Sequence, residues 1–456
     1  MIMKKRLAGL LVFILALSLV AASGCGGRDS VVENVGGGGT SNAGNDSDDN
    51  SSGQIKSDIE AKITMAHWVG IGAMEKASVN TVLKQLKKDY PNIDVEVNFV
   101  SGDYSTKMYA NLAAGKEPDV FMVEDGVFGN WVKAGVLEDL TPYVEKSTEL
   151  DTSAIWESAI SRYTYDGQKQ GSGDLYVIPK DISPRALYYN KDLLKKYGVE
   201  EPSKTTPMTY EEFVDFLKKL THAEDDVWGI PQISWECFTR SAGTSLLSSD
   251  YKSSNLDDPK LIREFQNMAD LIQVHKVTPP SATLSSEGAL IMFQTGKAAC
   301  FDGAIYNLMS VMDFDFDWDV CPLPGETEDP YASGYTGSVG YAVSKNSENK
   351  EAAYIVAEYF ATRTGQEILC NMGFNVPLYK DMAPSEVTTK KGTKVSMEVF
   401  MQAAEHQQPV DIAFTDNDQW YTVLATRLQP LWNDAGTKAS KLLPSIKAEI
   451  DSLLKQ

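Results

Sequence analysis

Three successive runs decide the fold: Ile63-Thr-Met-Ala-His-Trp68, Ser78-Val-Asn-Thr-Val-Leu-Lys-Gln-Leu-Lys-Lys-Asp-Tyr90 and Asp94-Val-Glu-Val-Asn-Phe-Val100. The first is a short, largely apolar run of strand length. In the second, Val79, Val82, Leu83, Leu86 and Tyr90 fall on one helical face, Lys84, Lys87 and Lys88 gather toward its end, and Pro91 stops it. In the third, Val95, Val97 and Phe99 alternate with polar residues, which is the period of a strand. Working outward, Tyr104 to Ala114 reads as a helix closed by Gly115. Asp119 to Val123 reads as a short strand after Pro118, and Phe128 to Ala134 as a helix closed by Gly135. Strand and helix alternate, so an α/β fold is expected, its sheet mostly parallel with helices on both faces.

Farther along, Leu175 to Ile178, Ala186 to Tyr189 and Gly340 to Ser344 read as strands. Thr209-Tyr-Glu-Glu212 is a capping box opening a helix that runs to Leu220. Leu261 to Val274, Glu287 to Thr295, Glu351 to Thr362 and the end of the chain from Gln419 read as helices.

The beginning of the chain is an export signal. Lys4, Lys5 and Arg6 precede an apolar run from Leu7 to Val20, too short for a comfortable membrane span. Ala22-Ser23-Gly24-Cys25 resembles the lipobox of bacterial lipoproteins, in which the cysteine becomes the acylated N-terminus. From Gly26 to about Glu60 the chain is rich in Gly, Ser, Asn and Asp. Such a stretch has little apolar surface to offset the entropy of ordering and is expected to be a flexible tether.

The remaining chain from Ala61, roughly 395 residues, suffices for two lobes with separate cores. The net charge is −21; residues 1–24 carry three bases and no acid, so the mature chain stands at −21 − 3 = −24. That acidity argues against nucleic acid and against a basic membrane-lying face. Cys237, Cys300, Cys321 and Cys370 lack metal-site spacing; they are free thiols or form disulfides.

Four further segments carry a family resemblance. They are Pro118-Asp-Val120 with Phe128-Gly-Asn-Trp-Val-Lys-Ala-Gly-Val-Leu137 and Asp139-Leu-Thr-Pro142; Tyr176-Val-Ile-Pro179 with Leu187-Tyr-Tyr-Asn-Lys-Asp-Leu-Leu194; Gly296-Lys-Ala-Ala-Cys-Phe-Asp-Gly303; and Gly340-Tyr-Ala-Val-Ser-Lys-Asn346 with Glu351-Ala-Ala353. In this order, behind a lipobox, they resemble the extracellular solute-binding proteins that include maltose-binding protein, over nearly the whole mature chain. The resemblance implies a periplasmic-binding-protein-like type II fold, with two α/β lobes, a hinge and a ligand cleft. It places the lobe crossings near Asp181 to Arg185 and near Gly334 to Gly340. The expected organisation is a signal peptide at 1–24, lipidated Cys25 and tether at 25–60, and one lobe at 61–181. The other lobe begins at 182–335, the chain returns to the first at 336–378, and 379–456 completes the second with the C-terminal helices. By the same resemblance the protein is a monomer held on the extracytoplasmic face of the cell membrane through its lipid. It captures a sugar or oligosaccharide for the permease subunits of an ABC importer, without enzymatic activity.

A sugar needs aromatic rings for its C–H faces and fixed polar groups for its hydroxyls. Such groups are sought at the carboxyl ends of strands. Trp68 ends the first strand, and reads as a ligand platform or a core residue. Tyr104 opens the helix after the second strand, for ligand or for packing. Glu124 and Asp125 follow the third strand, facing ligand or solvent. Asp181 and Arg185 in the first crossing either bind ligand or pair with each other. Trp235 follows an expected strand from Gly229. Asp302 and Tyr306 lie in a segment that resembles a cleft-lining stretch of the family. Trp420 resembles, with Tyr421, a late stacking pair, the alternative being helix packing. Trp68, Trp235 and Trp420 together would suit more than one ring. The scarcity of arginine, with Arg185 and Arg240 the candidates, favours a neutral sugar.

Other chemistry is weak in the sequence. Gly70-Ile-Gly72 lacks the third glycine of a dinucleotide loop, Glu75 standing in its place. The series Asp313, Asp315, Asp317 and Asp319 lacks the glycine and the glutamate that a calcium loop needs, Trp318 and Pro324 standing at those positions. Its alternation with Phe314, Phe316 and Trp318 reads as a strand. The four histidines have no metal spacing, so neither metal nor cofactor is expected. The rival class is an exported glycosidase, which needs two carboxylates across a site. A protein of the same fold binding a non-sugar solute is a further alternative.

Overall fold

The computed structural model describes residues 58–455 except 71, 72, 327, 328, 374, 416 and 417. The export signal, Cys25, the tether before Asp58 and Gly72 lie outside the described residues.

The chain opens β1 (Ala61–Trp68), α1 (Ala73–Asp89), β2 (Ile93–Val100), α2 (Tyr104–Ala114), β3 (Val120–Glu124), α3 (Asp125–Lys133). Local sequence sets these limits. The Asp103 carboxylate caps α2 by accepting from the Thr106 N–H, and Gly115 closes that helix in the left-handed region. Four further strands are β4 (Ile178–Pro179), β5 (Arg185–Asn190), β6 (Cys300–Ala304) and β7 (Trp318–Cys321), and a fifth is β8 (Val339–Val343). The capping box at Thr209 and Glu212 forms in both directions and opens the helix Tyr210–Leu220.

Two sheets result. The first has the order β2-β1-β3-β8-β4. β1 runs parallel to β2 and β3, while β8 runs antiparallel to β3 and β4. The expected parallel character therefore holds for the β1–β3 half and reverses at β8. The second sheet has the order β6-β5-β7 and is antiparallel throughout. Side chains alternate across β5: Ala186 and Tyr188 enter the core continuous with the first sheet, and Leu187 and Tyr189 pack with Phe213 and Leu217 on the other face. A third core joins Phe265, Leu424, Leu428 and Ile446 of the helices Pro259–Gln273, Gln419–Asn433 and Ala439–Leu453.

Some expectations change. Leu175 to Ile178 is divided: Asp174–Leu175 pairs with Thr164–Tyr165, and only Ile178–Pro179 joins the first sheet. The Asp313 to Asp319 alternation is a strand only from Trp318; the chain bends at Asp315 and Phe316. Asp317 there accepts from Thr393 Oγ1 (2.7 Å) and Thr389 Oγ1 (3.0 Å), and Phe314 and Phe316 pack on Phe293. No strand starts at Gly229; a single parallel bridge joins Trp228 to Ala298, and Trp235 opens the helix Trp235–Ser241. The four described cysteines are buried free thiols.

Candidate functional site

In the first sheet β1 connects outward to β2, and the chain then returns to place β3 on the other side of β1. Such a switch point is where open α/β sheets leave a crevice beyond their carboxyl ends. Trp68 leaves β1 there, and Glu124 and Asp125 leave β3. Because β8 is antiparallel, its first residue, Val339, pairs with Glu124 and brings Ser338 to the same edge. Because β4 pairs with Gly340 through Pro179, Lys180 and Asp181 emerge there too. In the second sheet Arg185 pairs with Ala304, so the turn at Tyr306 follows the edge where β5 enters.

A cavity of about 400 Å³ lies at this edge. Trp68, Glu124, Asp125 and Asp181 line it from the first sheet side, with Tyr306 and Met309 from the second. The Trp68 ring is fixed by its Nε1–H, which donates to the Gly102 carbonyl (3.1 Å). Tyr306 is 41% exposed, so its ring is available to a ligand.

The polar wall is built in two parts. Glu124 accepts from Ser105 Oγ (3.0 Å), and burial raises its carboxyl. Asp125 Oδ2 accepts from Arg162 NH1 (2.7 Å) and from the Ser338 N–H (3.3 Å), while its Oδ1 has no hydrogen-bond partner among the described residues. Burial raises the Asp125 carboxyl, with the Arg162 guanidinium pulling the other way. On the other side Lys180 Nζ stands 3.2 Å from Asp181 Oδ2 and 3.8 Å from Glu75 Oε1. Asp181 Oδ1 accepts from the Val339 N–H (3.1 Å), and its carbonyl accepts from Ser338 Oγ (2.7 Å). Behind Glu75 lies buried His67, whose Nε2 is 3.3 Å from Glu75 Oε1 and whose Nδ1 is 2.9 Å from the Tyr341 hydroxyl. Burial holds the His67 imidazole below its ordinary pKa.

Arg185, Asp302 and Trp235 lie in a separate network. Arg185 Nε donates to Asp302 Oδ1 (2.9 Å), and its guanidinium stands over the Tyr335 ring, 4.9 Å from the centroid. Arg185 therefore pairs with Asp302, and not with Asp181. Asp302 Oδ2 accepts from the Ser234 N–H (2.9 Å). Trp235 Nε1 donates to the Tyr421 hydroxyl (3.0 Å), which in turn donates to Glu236. Tyr104 is a packing residue in this structure, buried with its hydroxyl on the Met122 carbonyl (2.9 Å). Trp420 is 0% exposed, its Nε1 donating to Thr415 Oγ1 (3.1 Å), and does not line the cavity.

Sequence reading missed Glu75, Lys180, Ser338 and Arg162. Lys180 was within reach of inference, since it adjoins Asp181 at a crossing. Arg162 carries no local signal, because its partners are distant in sequence. Among the described residues there is no cluster of metal-ligating side chains, and no helix is long and apolar enough to cross a membrane.

Two α/β lobes joined at a common edge, with aromatic and charged groups facing a cavity there, define a binding protein of the type II periplasmic kind. Residues 73–367 match the family model described as bacterial extracellular solute-binding protein, and the chain belongs to that family. It is 26% identical over 322 residues to an arabinooligosaccharide-binding protein of Bacillus subtilis, covering 66% of this chain and 69% of that one. A galactooligosaccharide-binding protein of the same organism is 24% identical over 311 residues, covering 64% and 68%. The fold is shared with an ABC substrate-binding protein of Listeria monocytogenes solved with cycloalternan. That structure has a TM-score of 0.73 and 24% identity, over 87% of this chain and 99% of that one.

Proposed function

We propose that the cavity captures a sugar or short oligosaccharide, which the protein hands intact to the permease of an ABC importer. The observation that carries this reading is the pairing of Trp68 and Tyr306, from different sheets, around one cavity with Glu124, Asp125 and Asp181 on its wall. Aromatic faces suit the C–H surfaces of a sugar ring, and ionised carboxylates are strong acceptors for its hydroxyls. The saccharide ligands named for the Bacillus subtilis relatives support the same class. In this reading the lobes comprise 61–181 with 336–378, and 182–335 with 379–456, in a monomer. Closure of the lobes on the ligand is the state the permease reads. Cys25 carries the lipid that keeps the protein on the outer face of the membrane, and Cys25→Ser releases it into the soluble fraction.

The test is a thermal-shift screen of the full chain with arabino-, galacto- and malto-oligosaccharides, followed by chromatography of the sugar. A ligand at about 100 times its Kd stabilises the native state by about 2.7 kcal/mol. A shift with the sugar recovered intact supports a binder; shortened products would make it a glycosidase, and no shift with any sugar would remove the saccharide.

A further inference from the structure

Arg162 is a charged residue with no solvent exposure, and every arm of its guanidinium is committed. Nε donates to the Ser158 carbonyl (2.7 Å), NH1 to Asp125 Oδ2 (2.7 Å), and NH2 to the Thr336 carbonyl (3.1 Å) and Thr336 Oγ1 (2.6 Å). Ion pairs buried to this degree commonly add little stability over apolar residues of similar volume. Its placement gives it another use. Asp125 lines the cavity and follows β3, whereas Thr336 lies in the segment that returns the chain from β7 to β8, the second crossing between the lobes. Arg162 holds the two together.

The Asp125 carboxylate divides its oxygens between two tasks. Oδ2 serves the crossing, through Arg162 and the Ser338 N–H; Oδ1 has no partner among the described residues. Oδ1 is itself buried, and a buried carboxylate oxygen left unsatisfied is costly unless something donates to it. The Tyr163 hydroxyl adds a further tie to the crossing, donating to the Ser338 carbonyl (3.0 Å).

We propose that Arg162 is a positioning residue that couples a ligand hydroxyl on Asp125 Oδ1 to the second interlobe crossing, residues 334–338. The proposal rests on the saccharide reading of the cavity. A hydroxyl donating to Oδ1 fixes the plane of the carboxylate and hence the Arg162 fork, whose geometry is rigid. The fork then holds Thr336 at the end of the crossing, which limits how residues 334–338 bend when the lobes move. Arg162 itself does not touch ligand.

Hydrogen-exchange mass spectrometry on the full chain tests this, with maltotriose, an arabinotriose and a galactotriose as probes, alongside titration for Kd. Arg162→Lys keeps a charge opposite Asp125 but loses the fork. Thr336→Val removes one acceptor at a position that does not line the cavity. In the wild type, a bound probe slows exchange both at 122–127 and at 334–340. In either variant the protection at 122–127 remains, that at 334–340 is lost, and Kd rises about tenfold for Arg162→Lys, as expected for a bond to a charged group. Thr336→Val, which keeps the carbonyl bond, loses less. Unaltered protection at 334–340 in both variants overturns the coupling while leaving the saccharide reading intact. If no probe changes exchange anywhere in the wild type, the saccharide reading falls and the coupling falls with it.

Discussion

Ser183 and Gly337 exchange two backbone hydrogen bonds, 2.8 Å from the Ser183 N–H to the Gly337 carbonyl and 3.1 Å in return. Both line the cavity, and the pair forms a one-bridge antiparallel ribbon between the two stretches in which the lobe crossings are expected.

Two glycines near this ribbon differ in what they tolerate. A Cβ at Gly340 would lie 2.4 Å from the Ile178 carbonyl oxygen, forcing β4 away from β8. A Cβ at Gly337 would meet only Ser183 Cβ, at 3.8 Å. Gly340→Ala is expected to destabilise by about 2–3 kcal/mol, and Gly337→Ala to change stability by less than about 1 kcal/mol. Urea unfolding followed by circular dichroism reads both; equal effects would contradict the steric account.

Trp420 and Tyr306 separate stability from binding. Trp420→Ala opens a cavity among the C-terminal helices and should cost about 3–5 kcal/mol, with the affinity of the remaining folded protein unchanged. Tyr306→Ala alters an exposed ring and should shift stability by no more than about 0.5 kcal/mol while weakening saccharide binding. Parallel unfolding and binding titrations check the pair. Weakened binding by folded Trp420→Ala would restore the stacking role that the sequence resemblance suggested.

The first half of the first lobe was legible because its strands and helices are set by local periodicity and caps, as at Val79, Val82 and Leu86 or Asp103 and Gly115. The antiparallel entry of β8 was not, since direction depends on where a chain returns from another lobe. The carboxyl-end rule pointed to Trp68, Glu124 and Asp125, and the family resemblance to Asp181 and Tyr306; all five line one cavity in the structure. The rule could not separate Tyr104, which begins a helix at the same edge with its ring turned inward. Arg162 and Glu75 escaped notice as site residues because their contacts join elements far apart in the chain. The aromatic motif at Trp420 could not reveal its own burial.

His67 gives stability a pH dependence of definite sign. Its folded pKa lies below the ordinary 6.5 through burial, with Lys180 acting in the same direction and Glu75 and Asp181 opposing. The unfolded chain therefore binds the proton first. Stability present above about pH 6.5 is lost as pH falls from there through the folded pKa. Glu124 and Asp125, whose carboxyls are raised, act in the opposite sense, so the comparison is made against His67→Gln. The wild type should lose Tm relative to that variant between about pH 7.5 and pH 5; a constant difference across that range would show that His67 does not titrate on unfolding.

The most direct test of the central claim is calorimetric titration of the full chain with arabino-, galacto- and malto-oligosaccharides, in the wild type and in Trp68→Ala and Tyr306→Ala. The account predicts saturable binding of at least one sugar class, weakened about tenfold or more by each substitution, since each removes an aromatic stacking surface. No binding of any sugar, or binding that both substitutions leave unchanged, would contradict a saccharide held between Trp68 and Tyr306.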